Sequence, residues 1–230
     1  MRVSEVYLSV QGEGPNVGTP TVFVRFGGCN LRCPLWPCDT PYAIFPEYRK
    51  EWLVQDVDTI YHRILEVAKT CVSFNVCFTG GEPFLQKHDD LYALYSHLET
   101  NWRIGHIEAF SNGALEYPDW LQKTDLEVVM DWKLPGSGEG EFSQTRLDNI
   151  HQRLRMNQLA LKFTIADRHD YDVAKEYWGA WGHGYQTFAG IVWGKMSNQE
   201  LVEWILEDGL PWRLNVQVHN HVWDRSMRGI

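Results

Sequence analysis

The sequence predicts an α/β fold: an open, incomplete TIM-like barrel of parallel strands with helices packed outside it. Three observations carry that expectation. From residue 56 onward, short β-rich runs alternate with helical spacings, the pattern of repeated β–α crossovers in a parallel sheet. Six or so such units are too few to close an eight-fold barrel. No repeat, linker or low-complexity stretch divides the 230 residues, a length that suits one domain, 1–230, with a substantial core.

The elements follow in order. Val3–Val10 and Thr21–Phe26 are β-rich runs separated by the turn-forming Gly12, Gly14, Pro15 and Gly18. A loop from Gly27 to about Arg49 holds three cysteines and several prolines. Asp56–Lys69 places Val57, Ile60, Ile64, Leu65 and Ala68 at helical spacing, with Asp56 or Asp58 to cap it. Val72–Phe78 reads as a strand, His88–Thr100 as a helix, Arg103–Phe110 as a strand and Pro118–Gln122 as a short helix. Then come strand Leu126–Asp131, helix Ser143–Arg155, strand Leu159–Ile165 and helix Asp170–Trp181. Strand Thr187–Trp193, helix Ser197–Glu207, strand Arg213–His219 and an eleven-residue tail complete the chain.

Composition narrows the function classes. Hydrophobic residues make up 44% and charged residues 22%, as in an ordinary soluble globular chain. No apolar run reaches the roughly 18–20 residues of a membrane span, and the N-terminal MRVSEVYLSV lacks a signal-peptide core, so a cytoplasmic location is expected. Twenty-one Lys+Arg against thirty Asp+Glu leave a net charge of −9, which offers no field to attract nucleic acid or anionic lipid. A small-molecule partner is the better expectation. The eleven tryptophans are read as core residues.

Five cysteines, three of them between positions 29 and 38, do not suit a disulfide framework. Cys29, Cys33 and Cys38 stand in C-N-L-R-C-P-L-W-P-C-D-T, where three thiolates of one loop can reach a common metal. Sulfur selects zinc, copper(I) or an iron–sulfur cluster. Structural zinc wants four closed ligands, so three without a local fourth suit a [4Fe-4S] cluster with one open iron. Cys71 and Cys77 read as core thiols. After the next strand, Thr79-Gly80-Gly81-Glu82-Pro83 lets backbone amides approach a ligand, although an ordinary β–α turn with Pro83 opening a helix is the simpler account of it alone. Ligands in such sheets sit at the C-terminal strand ends, where GGCNLRC, TGGEP, FSNG and DWKLPGSGE fall.

The cysteine loop followed by G-G-E-P resembles the radical S-adenosylmethionine (SAM) superfamily. The superfamily's usual C-x3-C-x2-C is here C-x3-C-x4-C, with two residues inserted within Pro34–Pro37. S-V-Q-G-E-G-P, V-F-V-R-F-G-G-C-N-L-R-C, W-P-C-D-T, D-W-K-L-P-G-S-G-E and L-N-V-Q-V-H-N together resemble the 7-carboxy-7-deazaguanine synthase family along nearly the whole chain. The resemblance implies a radical SAM core and a lyase of 7-deazapurine biosynthesis. In that family a 5′-deoxyadenosyl radical takes hydrogen from C6 of 6-carboxy-5,6,7,8-tetrahydropterin; the ring then contracts, ammonia is lost and SAM is regenerated. It also implies Mg²⁺, a flavodoxin- or ferredoxin-type reductant and a homodimer.

Carried over by residue, Cys29, Cys33 and Cys38 match the cluster ligands and Thr40 the Mg²⁺ ligand. Val10, Gln11, Gly12 and Glu13 match the segment that reads the pterin's hydrogen-bonding edge; Thr79 matches a further substrate contact. Arg25 matches the fork for the substrate carboxylate, with a structural salt bridge as its alternative. Pro37, Asp39, Gly81, Asp131, Trp132, Lys133, Ser137 and Gln186 match SAM contacts. Relatives often read E-T-N-G where this chain has F-S-N-G, so Phe110 replaces an acid, with Glu108 two positions back on the same strand face. Two other readings differ in what they need. A glycyl-radical-activating enzyme would share the cluster and G-G-E-P but not Q-G-E-G or C-D-T. An iron–sulfur or zinc-binding interaction protein would not cleave SAM.

Overall fold

The computed structural model of the chain describes residues 1–36, 38–139, 144–224 and 227–229. Among them nine strands form one sheet: β1 (Arg2–Val10), β2 (Pro20–Phe26), β3 (Leu53–Val54), β4 (Phe74–Gly80), β5 (Ile104–Ser111), β6 (Glu127–Trp132), β7 (Leu159–Ile165), β8 (Gln186–Ile191) and β9 (Arg213–Leu214). Their order is β3-β1-β2-β4-β5-β6-β7-β8-β9. From β2 to β9 every pairing is parallel, while β1 runs antiparallel to both β2 and β3. The sheet stays open between β3 and β9, the incomplete barrel that the β–α pattern predicts.

The helices are α1 (Val57–Val67), α2 (His88–Glu99), α3 (Gln144–Asp148), α4 (Arg168–Tyr177), α5 (Asn198–Glu207) and α6 (His219–Val222). Helices α1 to α5 cover one face, while the short α6 lies at the other, beside Gly12. Each of the long crossover helices α1, α4 and α5 starts where a side-chain oxygen takes up an otherwise unpaired backbone N–H. Asp56 accepts from Thr59 N at 2.9 Å, Asp167 from Asp170 N at 3.0 Å and Ser197 from Glu200 N at 3.1 Å. Ile60 and Ile64 of α1 and Leu91, Leu94 and Leu98 of α2 are fully buried against the sheet. Each such side chain contributes roughly 1.5–3 kcal/mol of transfer free energy.

Strand alternation then sorts the sheet. Val22, Val24, Phe26, Val76, Phe78, Val128, Met130, Leu161 and Phe163 join the main core under the helices. The residues between them face inward, away from the helices. Val129, Ala160 and Phe188 form a small separate cluster there with Phe110 against it, and Tyr7 stacks on Phe23 at 5.2 Å.

Three predicted elements are shorter or irregular. The expected helix from Ser143 begins, among described residues, at Gln144 and turns into a π turn at Asn149–Arg153. Asn149 explains this: its side chain donates to Gly113 O (3.0 Å) and Leu115 O (2.7 Å) and accepts from Tyr117 N (2.8 Å). The helix after β7 likewise passes into a π turn at Trp178–Gly182. The last strand stops at Leu214; three residues on, Gln217 adopts φ +56°, and the chain then coils into α6. No helix among the described residues is long and apolar enough to cross a membrane.

Candidate functional site

Parallel strands bring β2, β4, β5 and β6 to a common C-terminal rim, and the unusual loops of the sequence meet there. Glu82 ties two strand ends together. Its carboxylate accepts from Ser111 Oγ (2.9 Å), Asn112 N (2.8 Å) and Phe84 N (3.1 Å). Burial pushes it up to about 7 against those hydrogen bonds. Asn112 in turn donates to Asn30 Oδ1 at 3.0 Å and reaches Cys29 Sγ at 3.8 Å, so F-S-N-G holds the start of the cysteine loop.

The glycines of T-G-G-E-P are required by protein packing. A Cβ on Gly80 would overlap Phe26 O, and one on Gly81 would overlap Gly28 O. Backbone passes against backbone here, with Gly81 N donating to Phe26 O at 3.0 Å and Glu82 N to Gly28 O at 2.9 Å. Of the two accounts of this turn, packing against the end of β2 is the one that requires both glycines.

The far end of the cysteine loop rests on the loop after β6. Arg32 N donates to Glu139 Oε1 (3.0 Å) and Leu35 N to Ser137 O (3.3 Å). Ser137 is fully buried and its hydroxyl is used internally, donating to Leu134 O at 2.7 Å and accepting from Glu139 N at 3.0 Å. Asp170 of α4 fixes the same loop by accepting from Gly136 N at 2.6 Å.

Cys29, Cys33 and Cys38 are all free and partly exposed. Burial raises all three thiols, Cys29 to about 11, and Lys133 pulls each of them back down. One cation therefore serves all three. No group of three or more His, Cys, Asp or Glu side chains among the described residues is arranged to hold a metal ion. A four-iron cluster spaces its thiolates more widely than a single ion does. Three free thiols of one loop beside a shared cation fit such an anionic group, with no fourth protein ligand needed. Thr40 is buried at the start of the 3₁₀ turn Pro41–Ala43, with its hydroxyl 3.6 Å from Cys38 Sγ. Asp39 lies close enough to Arg25, Lys162 and His219 to influence the charge of each. Pro37 lies outside the described residues.

Below the rim, the inner face is polar and ion-paired. Arg25 Nε meets Glu5 Oε2 at 3.0 Å and its Nη2 donates to Tyr7 Oη at 2.6 Å. The salt-bridge alternative is thus realised in this structure, and an Nε/Nη2 fork is not free for a carboxylate. Thr79 is Arg25's register partner on β4. Burial disfavours Arg25's charge, but Tyr7, Tyr42, Asp39 and Glu5 outweigh it and raise its pKa above the ordinary value.

The segment after β1 folds across the N-terminal part of this inner face. Val10 closes β1 opposite Pro20. Gln11 donates to Glu108 Oε1, and Asn16 donates to Glu108 Oε2 at 2.9 Å. Burial raises Glu108 to about 7. Gly12 O accepts from Val218 N at 3.0 Å, and a Cβ on Gly12 would overlap the His219 ring. Glu13 is paired with Lys162 at 2.8 Å, and Lys162 also meets Asp131 at 3.4 Å. Asp131 holds Lys133 at 3.0 Å. Burial would raise Asp131, but the two ammoniums bring it down to about 2.

Sequence reasoning and geometry part at three places. Trp132 is fully buried on the helix-covered face, stacked near Trp181 (4.5 Å) and Tyr177 (5.5 Å), so its side chain points away from the inner face. Gln186 opens β8, five residues before the rim, or about 17 Å at ~3.3 Å per residue; it is exposed and stands apart from the other residues. Lys162 and His219 were not singled out, although both lie among the charged inner groups. Lys162 is the one charge within L-A-L-K-F-T-I, and His219 belongs to the quoted L-N-V-Q-V-H-N; those were the available signals. Cys77 is the buried core thiol expected, and it lies on the inner face beside Glu108 and Gln11.

No protein-family model matches the chain. Among curated proteins it is similar to a 7-carboxy-7-deazaguanine synthase of Leptospira interrogans, 33% identical over 99% of this chain and 97% of that one. It is 32% identical to one from Chlorobaculum tepidum over 100% and 97%, and 31% identical to one from Koribacter versatilis over the full length of both. The chain belongs to the 7-carboxy-7-deazaguanine synthase family. Its fold is also that of QueE from Escherichia coli, with a TM-score of 0.67 at 19% identity, covering 94% of this chain and 93% of that one. Full-length similarity to members of the synthase family does not favour the activating-enzyme and interaction-protein readings.

Proposed function

We propose that the whole chain, 1–230, acts as one radical SAM lyase that converts 6-carboxy-5,6,7,8-tetrahydropterin to 7-carboxy-7-deazaguanine with loss of ammonia. One observation carries this reading: Gln11–Glu13, Arg25, Thr79 and the cysteine loop, distant in sequence, face one inner surface below one rim. Cys29, Cys33 and Cys38 would hold a [4Fe-4S] cluster. When bound, the cluster supplies the electron that lets SAM generate a carbon radical for hydrogen abstraction.

The chain's own residues bind, orient and exclude water. Lys133 offers a cation to the cluster loop, and Gly81, Asp131, Ser137 and Asp39 shape the backbone around SAM. The side chains of Ser137 and Asp131 are spent on internal contacts, so their part falls to the main chain. Arg25 and Thr79 would face the pterin's carboxylate, with Thr40 supplying an oxygen to Mg²⁺. Gln11, held by Glu108, and Glu13, held by Lys162, would read the amino–imino edge. A flavodoxin- or ferredoxin-type reductant, a homodimer and a cytoplasmic setting complete the proposal on the strength of the resemblance.

The test is anaerobic reconstitution followed by incubation with SAM, reductant, Mg²⁺ and the carboxytetrahydropterin. Formation of 7-carboxy-7-deazaguanine with ammonia is expected. SAM cleavage with the pterin untouched would assign the chain to another radical reaction.

A further inference from the structure

Lys162 belongs to none of the motifs, yet it is 6% exposed and central on the inner face of β7. Its Nζ lies 2.8 Å from Glu13 Oε2, across 149 residues of sequence, and 3.4 Å from Asp131 Oδ2. A buried ammonium is hard to justify by stability alone, since an apolar side chain of similar volume often serves as well. Glu13 supplies the second observation. Its Oε2 is taken by Lys162, but its Oε1 is buried with no hydrogen-bond partner among the described residues. A buried carboxylate oxygen without a donor is costly unless a ligand provides one.

We propose that Lys162 is a positioning residue for the substrate: by holding Oε2 of Glu13 it fixes Oε1 as the acceptor for the N–H edge of the pterin. The inference rests on the lyase reading above and deepens it. Asp131 makes the placement firm from the other side, because its Oδ2 takes both Lys162 and Lys133. Asp39 and Lys133 also bear on this ammonium, and the His219 imidazole, whose pKa burial lowers, faces the pair. Burial alone would lower the Lys162 pKa, but Asp131 and Glu13 hold it above the ordinary lysine value, so the charge that grips Glu13 persists.

The test is anaerobic calorimetry with 6-carboxy-5,6,7,8-tetrahydropterin on the full chain carrying its cluster and SAM. It compares wild type, Glu13→Gln, Lys162→Met and the double variant, with thermal unfolding on each. Each single change should weaken pterin affinity by roughly 10- to 100-fold, the range for a hydrogen bond to a charged group. The double variant should lose no more than the larger single loss, because the lysine acts through the glutamate. Lys162→Arg should recover part of the affinity, and turnover at saturating pterin should change far less than KM. Should Lys162→Met fail to fold, the double variant carries the comparison, since it removes one charge of each sign. Affinity equal to that of Glu13→Gln then supports the inference, and a further loss overturns it. Additive losses, or normal binding by a folded Lys162→Met, also overturn it. Wild-type protein that does not bind the pterin overturns the lyase reading itself, which separates the two failures.

Discussion

On the helix-covered face of β6 and β7, Val128, Met130, Trp132, Leu159, Leu161 and Phe163 are buried among other hydrophobic side chains. One residue along, on the inner face of the same two strands, the half-buried Asp131 and the buried Lys162 sit among charges. The two faces share backbone, register and shielding from water, but they depend on partners differently. An apolar side chain is satisfied by any neighbour that excludes water, so the covered face tolerates loss locally. A buried charge is satisfied only by a particular opposite group at hydrogen-bond distance. For Lys162 those groups are Asp131 on the neighbouring strand and Glu13, which arrives from the other end of the chain. The inner face therefore depends on particular pairs, and a single change there should disturb ligand binding as well as stability, whereas a change on the covered face should act on stability alone.

The largest expected effect sharpens this contrast at the rim. Anaerobically reconstituted wild type should carry about four irons per chain, as a [4Fe-4S] cluster requires. Cys29→Ala, Cys33→Ala and Cys38→Ala should each abolish the cluster absorbance, whereas Cys71→Ala, away from the rim, should retain it. Iron retained by Cys38→Ala and lost from Cys71→Ala would remove the rim loop from its assigned role.

Arg25→Ala comes next. It deprives a substrate carboxylate of its cation and also leaves Glu5 unpaired. The loss of pterin affinity should correspond to about 2–5 kcal/mol for a desolvated pair, or roughly 30- to 4,000-fold. Lys at this position should restore only part, since an ammonium cannot serve Glu5, Tyr7 and a ligand as a planar guanidinium does. The cluster and slow SAM cleavage without substrate should persist. A variant that binds pterin normally but has lost SAM would put Arg25 on the wrong ligand.

Ile64→Ala tests the covered face. Ile64 is fully buried in α1, and truncation should cost about 2–5 kcal/mol of stability. Pterin affinity of the folded fraction should stay within a few-fold of wild type. A large fall in affinity with little change in denaturation midpoint would mean that the two faces are coupled, contrary to the comparison.

The covered face was also the part most legible in the sequence. Helical spacing in α1 and α2 and alternation in the strands follow from local periodicity, and so do the caps Asp56 and Ser197. The elements that shifted did so for long-range reasons. Asn149 bonds to a loop more than thirty residues away and loosens the end of its helix. Gln217 takes a left-handed conformation that keeps the chain from continuing as a strand to His219. At the site, the cysteine loop and Q-G-E-G were visible as motifs, but what the residues touch was not. Gly81 serves backbone packing, Trp132 points into the core, and Arg25 is already bonded to Glu5. Lys162 was hidden because one lysine in an apolar strand acquires meaning only when Glu13 lies opposite it.

The smallest expected effect concerns pH. Glu108 is buried on the inner face, and its two oxygens accept from Gln11 and Asn16. Burial raises it to about 7, above its ordinary value near 4.5. The folded protein therefore holds this proton more tightly than the unfolded chain does. The stability Glu108 contributes is complete below about pH 4.5 and is lost as pH rises through about 7. At roughly 1.4 kcal/mol per unit, the change across that window is on the order of 3–4 kcal/mol. Asp131 has the opposite sign: lowered to about 2, its contribution is present above the ordinary carboxylate range and disappears only in stronger acid. Between pH 4.5 and 7 the decline should come from Glu108 and from Glu82, which is raised to a similar value at the rim, partly offset by His219, whose lowered pKa adds stability as the pH rises toward its ordinary value. Glu108→Gln keeps an oxygen acceptor and removes the proton, so it should flatten part of the decline in denaturation midpoint over that window. Glu108→Gln with the wild-type slope, and Glu82→Gln accounting for all of it, would show that the inner carboxylate is ionised at neutral pH and that Gln11 is held by a charge rather than by a shared proton.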